Sequence, residues 1–295
     1  MIEIWPGPME GAAREPFVRA VSALGLVRRW MTPFLRVSEN CFGQKKIARF
    51  LAPYLESGLP VTVQIMGVRG DVLAELAVRC LGAGAAGINL NCGCPSKRVV
   101  SGGAGGGALK DPEKLAAIVA GIRRAVGTDT PFSVKMRSGV SDPEEMLAVI
   151  PRLAEAGADK FFIHYRTVAE QYRSVPGREE RLRRAVLAAS PLPVIANGDI
   201  SSVEDGLKLL ETTGAAGLMI ARALLRDPWL PERFVNPDVP SPEDGRRRLE
   251  EALETFRVRG GNKLELVRMM WGEKSPQFRS LAEKSESVGK GKEQS

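Results

Sequence analysis

Two cysteines one residue apart, Cys92 and Cys94, lie in the run Asn89-Leu90-Asn91-Cys92-Gly93-Cys94-Pro95-Ser96-Lys97, directly after an apolar segment. Thiols so placed suit a metal site, a disulfide or a working nucleophile or acid. A structural zinc site needs about four thiolate or imidazole ligands at matching spacings. The chain has four cysteines and one histidine, with no second cysteine-rich pair, so no metal site is expected. A disulfide between residues two apart would be strained and suits neither so long a chain nor a reducing compartment. One working thiol or two inert, buried ones remain. A position before proline and a glycine-rich loop favours the working thiol.

Other polar side chains recur in the same setting. Met9 and Glu10, Gln64, Asn91, Lys135, His164, Asn197 and Arg222 each fall at or just past the end of an apolar segment. Segments 4–8, 29–35, 61–66, 87–91, 132–136, 161–164, 193–197 and 217–220 read as strands. Between them, 71–81, 112–126, 143–156, 179–189 and 201–210 read as helices, entered at Asp, Ser or Pro and left near glycine. Repeated strand-then-helix units imply parallel strands with right-handed crossovers. About eight such units give an α/β fold of the (β/α)8 barrel type, with an open doubly wound sheet as the alternative. In a barrel the polar residues converge on the C-terminal face, where ligands bind.

Beyond residue 240 the pattern changes. Residues 246–257 and 263–271 read as two helices separated by Gly260-Gly261, and from 284 the chain is rich in Lys, Gly and Ser. The expected organisation is a barrel over 1–236, a small helical domain over 237–284 and a disordered tail over 285–295. No apolar run approaches the roughly 20 residues that span a bilayer, and no signal-peptide pattern opens the chain. A cytoplasmic protein without membrane association is expected. The net charge of +7 favours a polyanionic partner such as nucleic acid.

The glycine-rich segment 101–107 lacks the ending of a phosphate-binding P-loop and the spacing of a dinucleotide fingerprint. It reads as a flexible loop that lets a bulky substrate approach closely. Phosphate is better placed after the seventh and eighth strands, at Asn197-Gly198-Asp199 and at Ala221-Arg222. With Lys135 and Gln64 on earlier strands, a flat heterocycle bearing a phosphate tail would fit. Lys135 near the pyrimidine edge of a flavin would stabilise the anion formed on reduction.

The chain resembles the tRNA-dihydrouridine synthases. The matching motifs are Pro8-Met9-Glu10-Gly11, Val63-Gln64, Asn91 to Lys97, Ser133-Val134-Lys135-Met136-Arg137, His164-Tyr165-Arg166-Thr167, Ala196-Asn197-Gly198-Asp199-Ile200 and Ile220-Ala221-Arg222. They follow the family's order over about three quarters of the chain. Residues 30–37 and 102–108 further resemble the C-type bacterial branch, which acts on uridine 16 of the tRNA D loop. The resemblance implies FMN held by Pro8, Met9, Glu10, Gln64, Lys135, His164, Asn197, Gly198, Asp199, Ala221 and Arg222, with NADPH as reductant. It implies Cys94 as proton donor, with Cys92 left as a packing residue. Asn91, Lys97, Arg137 and Arg166 would serve tRNA, the helical domain would touch it too, and the protein is expected to be a monomer.

Three positions depart from the pattern: Pro33 replaces Glu, Tyr165 a small residue, and Ala221 a Gly. The alternatives are an FMN barrel acting on a free pyrimidine, and a tRNA-binding barrel without turnover.

Overall fold

A computed structural model describes residues 2–11, 13–257 and 260–282; the expected disordered tail at 285–295 lies outside them. Nine strands form one all-parallel sheet: β1 (Glu3–Pro6), β2 (Trp30–Met31), β3 (Leu35–Arg36), β4 (Val61–Met66), β5 (Gly87–Cys92), β6 (Phe132–Arg137), β7 (Lys160–His164), β8 (Val194–Asn197) and β9 (Gly217–Ile220). Hydrogen bonding runs β1-β9-β8-β7-β6-β5-β4-β2, with β3 also on β4. Trp30 pairs with Val61 and Leu35 with Ile65, so β2 and β3 are two pieces of one strand position. Pro33 lies in the gap and has no N–H to give to the ladder. Eight strand positions remain, and β1 meets β2 across the last seam, where Trp5 and Met31 share one cluster. The result is a nearly closed (β/α)8 barrel.

Contacts gather the chain into two units, one of residues 1–6 and 29–220, the other of residues 7–28 together with those from 221 on. In the first, alternate residues of each strand face the barrel interior. Trp5, Met31, Phe162, Ile195 and Met219 fill it, and the Trp5 and Phe162 rings meet edge to face at 5.0 Å. Each such burial stabilises by about 1.5–3 kcal/mol. Glu3 and Lys160, near the starts of β1 and β7, make an ion pair of 2.7 Å, and the Trp5 indole N–H donates to Glu3 at 2.9 Å. Burial would raise the Glu3 carboxyl, but the Lys160 and Trp5 hydrogen bonds outweigh it and leave Glu3 below its ordinary value. The N-terminal face is thus closed by paired charge.

The helices of this unit follow their sequence signals. Asp111 accepts from the Lys114 N–H at 3.0 Å to open the helix Pro112–Val126, and Ser202 accepts from Asp205 to open Val203–Thr213. The latter ends at Gly214, whose φ of +71° glycine adopts without a Cβ penalty.

In the second unit, the helix Glu15–Ala23 packs on Pro242–Thr255 through apolar faces that include Phe17, Val21, Leu249 and Leu253. Gly260 and Gly261 do not separate two helices as expected; they open the helix Gly260–Trp271. First-turn positions lack intrahelical N–H partners and tolerate residues that would break a helix interior.

Candidate active site

On β5, Asn89 and Asn91 point to the same side of the sheet, two residues apart, and both enter a buried hydrogen-bond chain. The Asn91 amide donates to Gln64 Oε1 at 2.7 Å; Gln64 Nε2 donates to Asn89 Oδ1 at 2.8 Å; Asn89 Nδ2 donates to Ser133 Oγ at 2.9 Å. At its upper end, Asn91 Oδ1 accepts from the backbone N–H groups of Gly93 at 3.0 Å and Cys94 at 3.1 Å. Side chains of β4, β5 and β6 therefore fix where the chain leaves β5 and turns at Cys94. Burying these amides is tolerable because each finds a partner.

The two cysteines separate cleanly. Cys92 is 1% exposed, and burial pushes its thiol up to about 12. Cys94 is only partly buried and packs against Met66, Val99 and Ala104, with Phe34 and Val68 alongside. Lys135 and Arg137, on β6, place their charges within electrostatic reach of it.

Within the segment 101–107, residues 101–103 are exposed, and the glycines that follow depart from the expected open loop. Gly105, Gly106 and Gly107 are buried in a short 3₁₀ turn, Gly105–Lys110, that packs on the Cys94 loop. The Gly106 N–H donates to Cys94 O at 3.0 Å. A Cβ on Gly105 would lie 2.9 Å from Cys94 Cβ; one on Gly106 would strike Val168 and stand 3.1 Å from Cys94 O. Glycine is required at 105 and 106 so that these two stretches of chain can meet. Gly106→Ala is accordingly expected to destabilise the fold by about 1–3 kcal/mol through overpacking and to slow turnover by shifting Cys94. A lowered thermal midpoint together with a lowered rate would show it; an unchanged midpoint would mean the loop yields freely.

Lys135 is partly buried. Desolvation, then the neighbouring Arg137 charge, brings its ammonium down to about 8. It makes no hydrogen bond or ion pair among the described residues, a cation in need of an anionic partner. Arg137, expected to face substrate, is 3% exposed. It donates from Nε to Gly93 O at 2.9 Å and from Nη1 to Thr167 O at 2.9 Å and Gln171 O at 2.6 Å. Its guanidinium also lies 5.3 Å from the Tyr172 ring. Here Arg137 ties the Cys94 loop to the segment after β7. Lys97 is exposed at the start of the helix Lys97–Ser101.

His164 ends β7 and stacks on Tyr165, with ring centroids 5.5 Å apart. Asn197 ends β8 and donates to Met219 O at 3.0 Å. Gly198 and Asp199 follow with φ of +123° and +52°, a turn of the kind that aims successive N–H groups at an anion. Arg166, also expected to face substrate, is 2% exposed and paired with Asp199. The remaining expected residues belong to the second unit. Pro8, Met9 and Glu10 follow β1, with Met9 buried and Glu10 exposed; Ala221 and the exposed Arg222 follow β9.

A parallel barrel that carries a thiol, a desolvated lysine and an imidazole at the C-terminal ends of its strands is an enzyme of the barrel class. Among the described residues no cluster of His, Cys, Asp and Glu could hold a metal ion, and no helix is long and apolar enough to cross a membrane. The family model for dihydrouridine synthases (Dus) matches residues 6–271, and the chain belongs to that family of oxidoreductases. Its relatives include the tRNA-dihydrouridine(16) synthase of Haemophilus influenzae, 36% identical over 76% of this chain and 73% of that one. Those of Vibrio parahaemolyticus and Pseudomonas syringae pv. tomato are 32% and 33% identical, over 76% and 78% of this chain and 71% and 73% of theirs.

Proposed function

We propose that this protein reduces a uridine of the tRNA D loop, position 16, to 5,6-dihydrouridine, as a cytoplasmic monomer. The observation that carries the proposal is the placement of Cys94: a partly accessible thiol on a loop braced by Asn91, Arg137 and Gly106, beside two cations.

The residues present fit a flavin mononucleotide. Lys135 offers an unpaired ammonium to an anionic ring edge, and the Asn197–Asp199 turn offers N–H groups to a phosphate. Gln64, Lys135, His164, Asn197, Gly198 and Asp199 would hold the group, with Pro8, Met9, Glu10, Ala221 and Arg222 assigned to it by resemblance. FMN bound there would supply hydride to C6 of the uracil, with NADPH as the source of electrons.

What the chain's own groups do follows from charge. Hydride arrival at C6 builds enolate character at the C4 carbonyl and calls for a proton at C5. The Cys94 S–H breaks, its proton goes to C5, and the thiolate left behind is stabilised by Lys135 and Arg137 until water reprotonates it. The apolar side chains of Met66, Val99 and Phe34 flank the thiol on one side. The uracil must be flipped out of the folded RNA at a cost of a few kcal/mol, offset by phosphate contacts from cations such as Lys97. Asn91, Arg137 and Arg166 serve the substrate by holding the loops it meets.

Purified protein given NADPH and unmodified tRNA is expected to form dihydrouridine at position 16 alone, and cells lacking it should lose that modification. Oxidation of free dihydropyrimidines with tRNA untouched would replace the proposal with a pyrimidine dehydrogenase. A colourless protein that binds tRNA without turnover would replace it with a binding barrel.

A further inference from the structure

We propose that Tyr165 is a positioning residue for the phosphate of the bound flavin nucleotide: with Arg166 it secures the Asp199 carboxylate, so that the adjacent turn can accept an anion. The inference rests on the assignment of the Asn197–Asp199 turn as the phosphate seat. It goes further by naming what makes that seat usable.

The difficulty with this turn is its own side chain. Asp199 places a carboxylate beside the backbone N–H groups that would bind phosphate, and two like charges at close range repel. Asp199 Oδ2 accepts from the Tyr165 hydroxyl at 2.9 Å and from Arg166 Nη2, and the Asp199 carbonyl accepts from Arg178 Nη1 at 3.4 Å. Arg166 is itself fixed: its Nε donates to Arg173 O at 2.5 Å, and its guanidinium lies 4.5 Å from the Tyr165 ring. Being 2% exposed, its charge is poorly screened by water. Its Nη1 is buried without a hydrogen-bond partner among the described residues.

Tyr165 also shapes the turn sterically. A Cβ on Gly198 would come within 2.6 Å of Tyr165 Cδ1, so the ring lies against the glycine whose φ is +123°. The bond to Asp199, after burial, helps push the Tyr165 phenol up to about 12, which keeps it a donor at neutral pH.

The test compares FMN with riboflavin, which lacks the phosphate, on protein stripped of flavin, by quenching of flavin fluorescence. Tyr165→Phe keeps the ring and removes the donor. It is expected to weaken FMN about tenfold, the worth of one hydrogen bond to a charged group, and to leave riboflavin unchanged. Adding Asp199→Asn to Tyr165→Phe should restore FMN affinity, because the repelling charge is gone. Equal weakening of both flavins, no weakening of either, or no rescue by Asp199→Asn would overturn the role given to Tyr165. Wild-type protein that binds FMN no better than riboflavin would overturn the phosphate seat itself and the inference with it, a result distinct from a wild-type preference that Tyr165→Phe leaves intact.

Discussion

Cys94→Ala is expected to lower dihydrouridine formation by about 10²–10⁴-fold, the contribution of a positioned general acid, while the protein keeps its flavin and its fold. Cys92→Ala should leave the rate within a few-fold and destabilise the protein by about 1 kcal/mol, a small core truncation. The asymmetry follows from two environments that lie two residues apart. Cys92 is 1% exposed with its thiol pushed up to about 12, a weak acid without access to substrate. Cys94 is partly accessible, and its conjugate thiolate would have Lys135 and Arg137 to stabilise it. Single-turnover measurements with pre-reduced enzyme separate this step from flavin reduction, which neither substitution should touch. Equal losses in both variants would remove Cys94 from its role, because no shared structural damage distinguishes a core cysteine from one on the loop.

What could be seen in the sequence, and what could not, divides along the range of the forces involved. The strands were legible because their apolar runs end at polar residues, and alternation even fixes the interior face: Phe162 and His164, two apart, both point inward. Asn89 could have been found the same way, since it shares a face with Asn91, but its partners Gln64 and Ser133 come from neighbouring strands that only the register brings alongside. The interruption between β2 and β3 needed the ladder on β4 to show that Pro33 splits one strand rather than ending it. The glycines of 105–107 were misread because glycine serves both freedom and close approach, and composition does not separate the two. Arg137 and Arg166 look like any exposed cation by type. Their burial depends on carbonyls of residues 93, 167, 171 and 173, which take their places only after the loops fold.

Lys135→Met is the second large effect expected, and it should act in opposite directions on stability and on function. Burial, with Arg137 nearby, lowers the folded-state ammonium to about 8 from an ordinary 10.5. Below about pH 8 both folded and unfolded chains carry the proton, and the fold bears the full cost of a desolvated charge. Between about 8 and 10.5 the unfolded chain holds more protons than the folded one, so this residue makes stability rise with pH across that window. Lys135→Met removes the desolvated charge, should stabilise the flavin-free protein at neutral pH, and should erase that part of the pH dependence. An anionic ring edge beside Nζ reverses the balance by favouring the charged amine. Binding of reduced FMN above pH 8, without oxygen, is therefore expected to take up a fraction of a proton approaching one, measurable by calorimetry in two buffers of different ionisation enthalpy. Lys135→Met should abolish the uptake and slow flavin reduction by about 10²–10³-fold, the loss typical of one donor aimed at developing negative charge. Proton uptake of the same size in the variant would mean that another group answers the flavin's charge, and the unpaired ammonium of β6 would then be only a strained piece of the barrel wall.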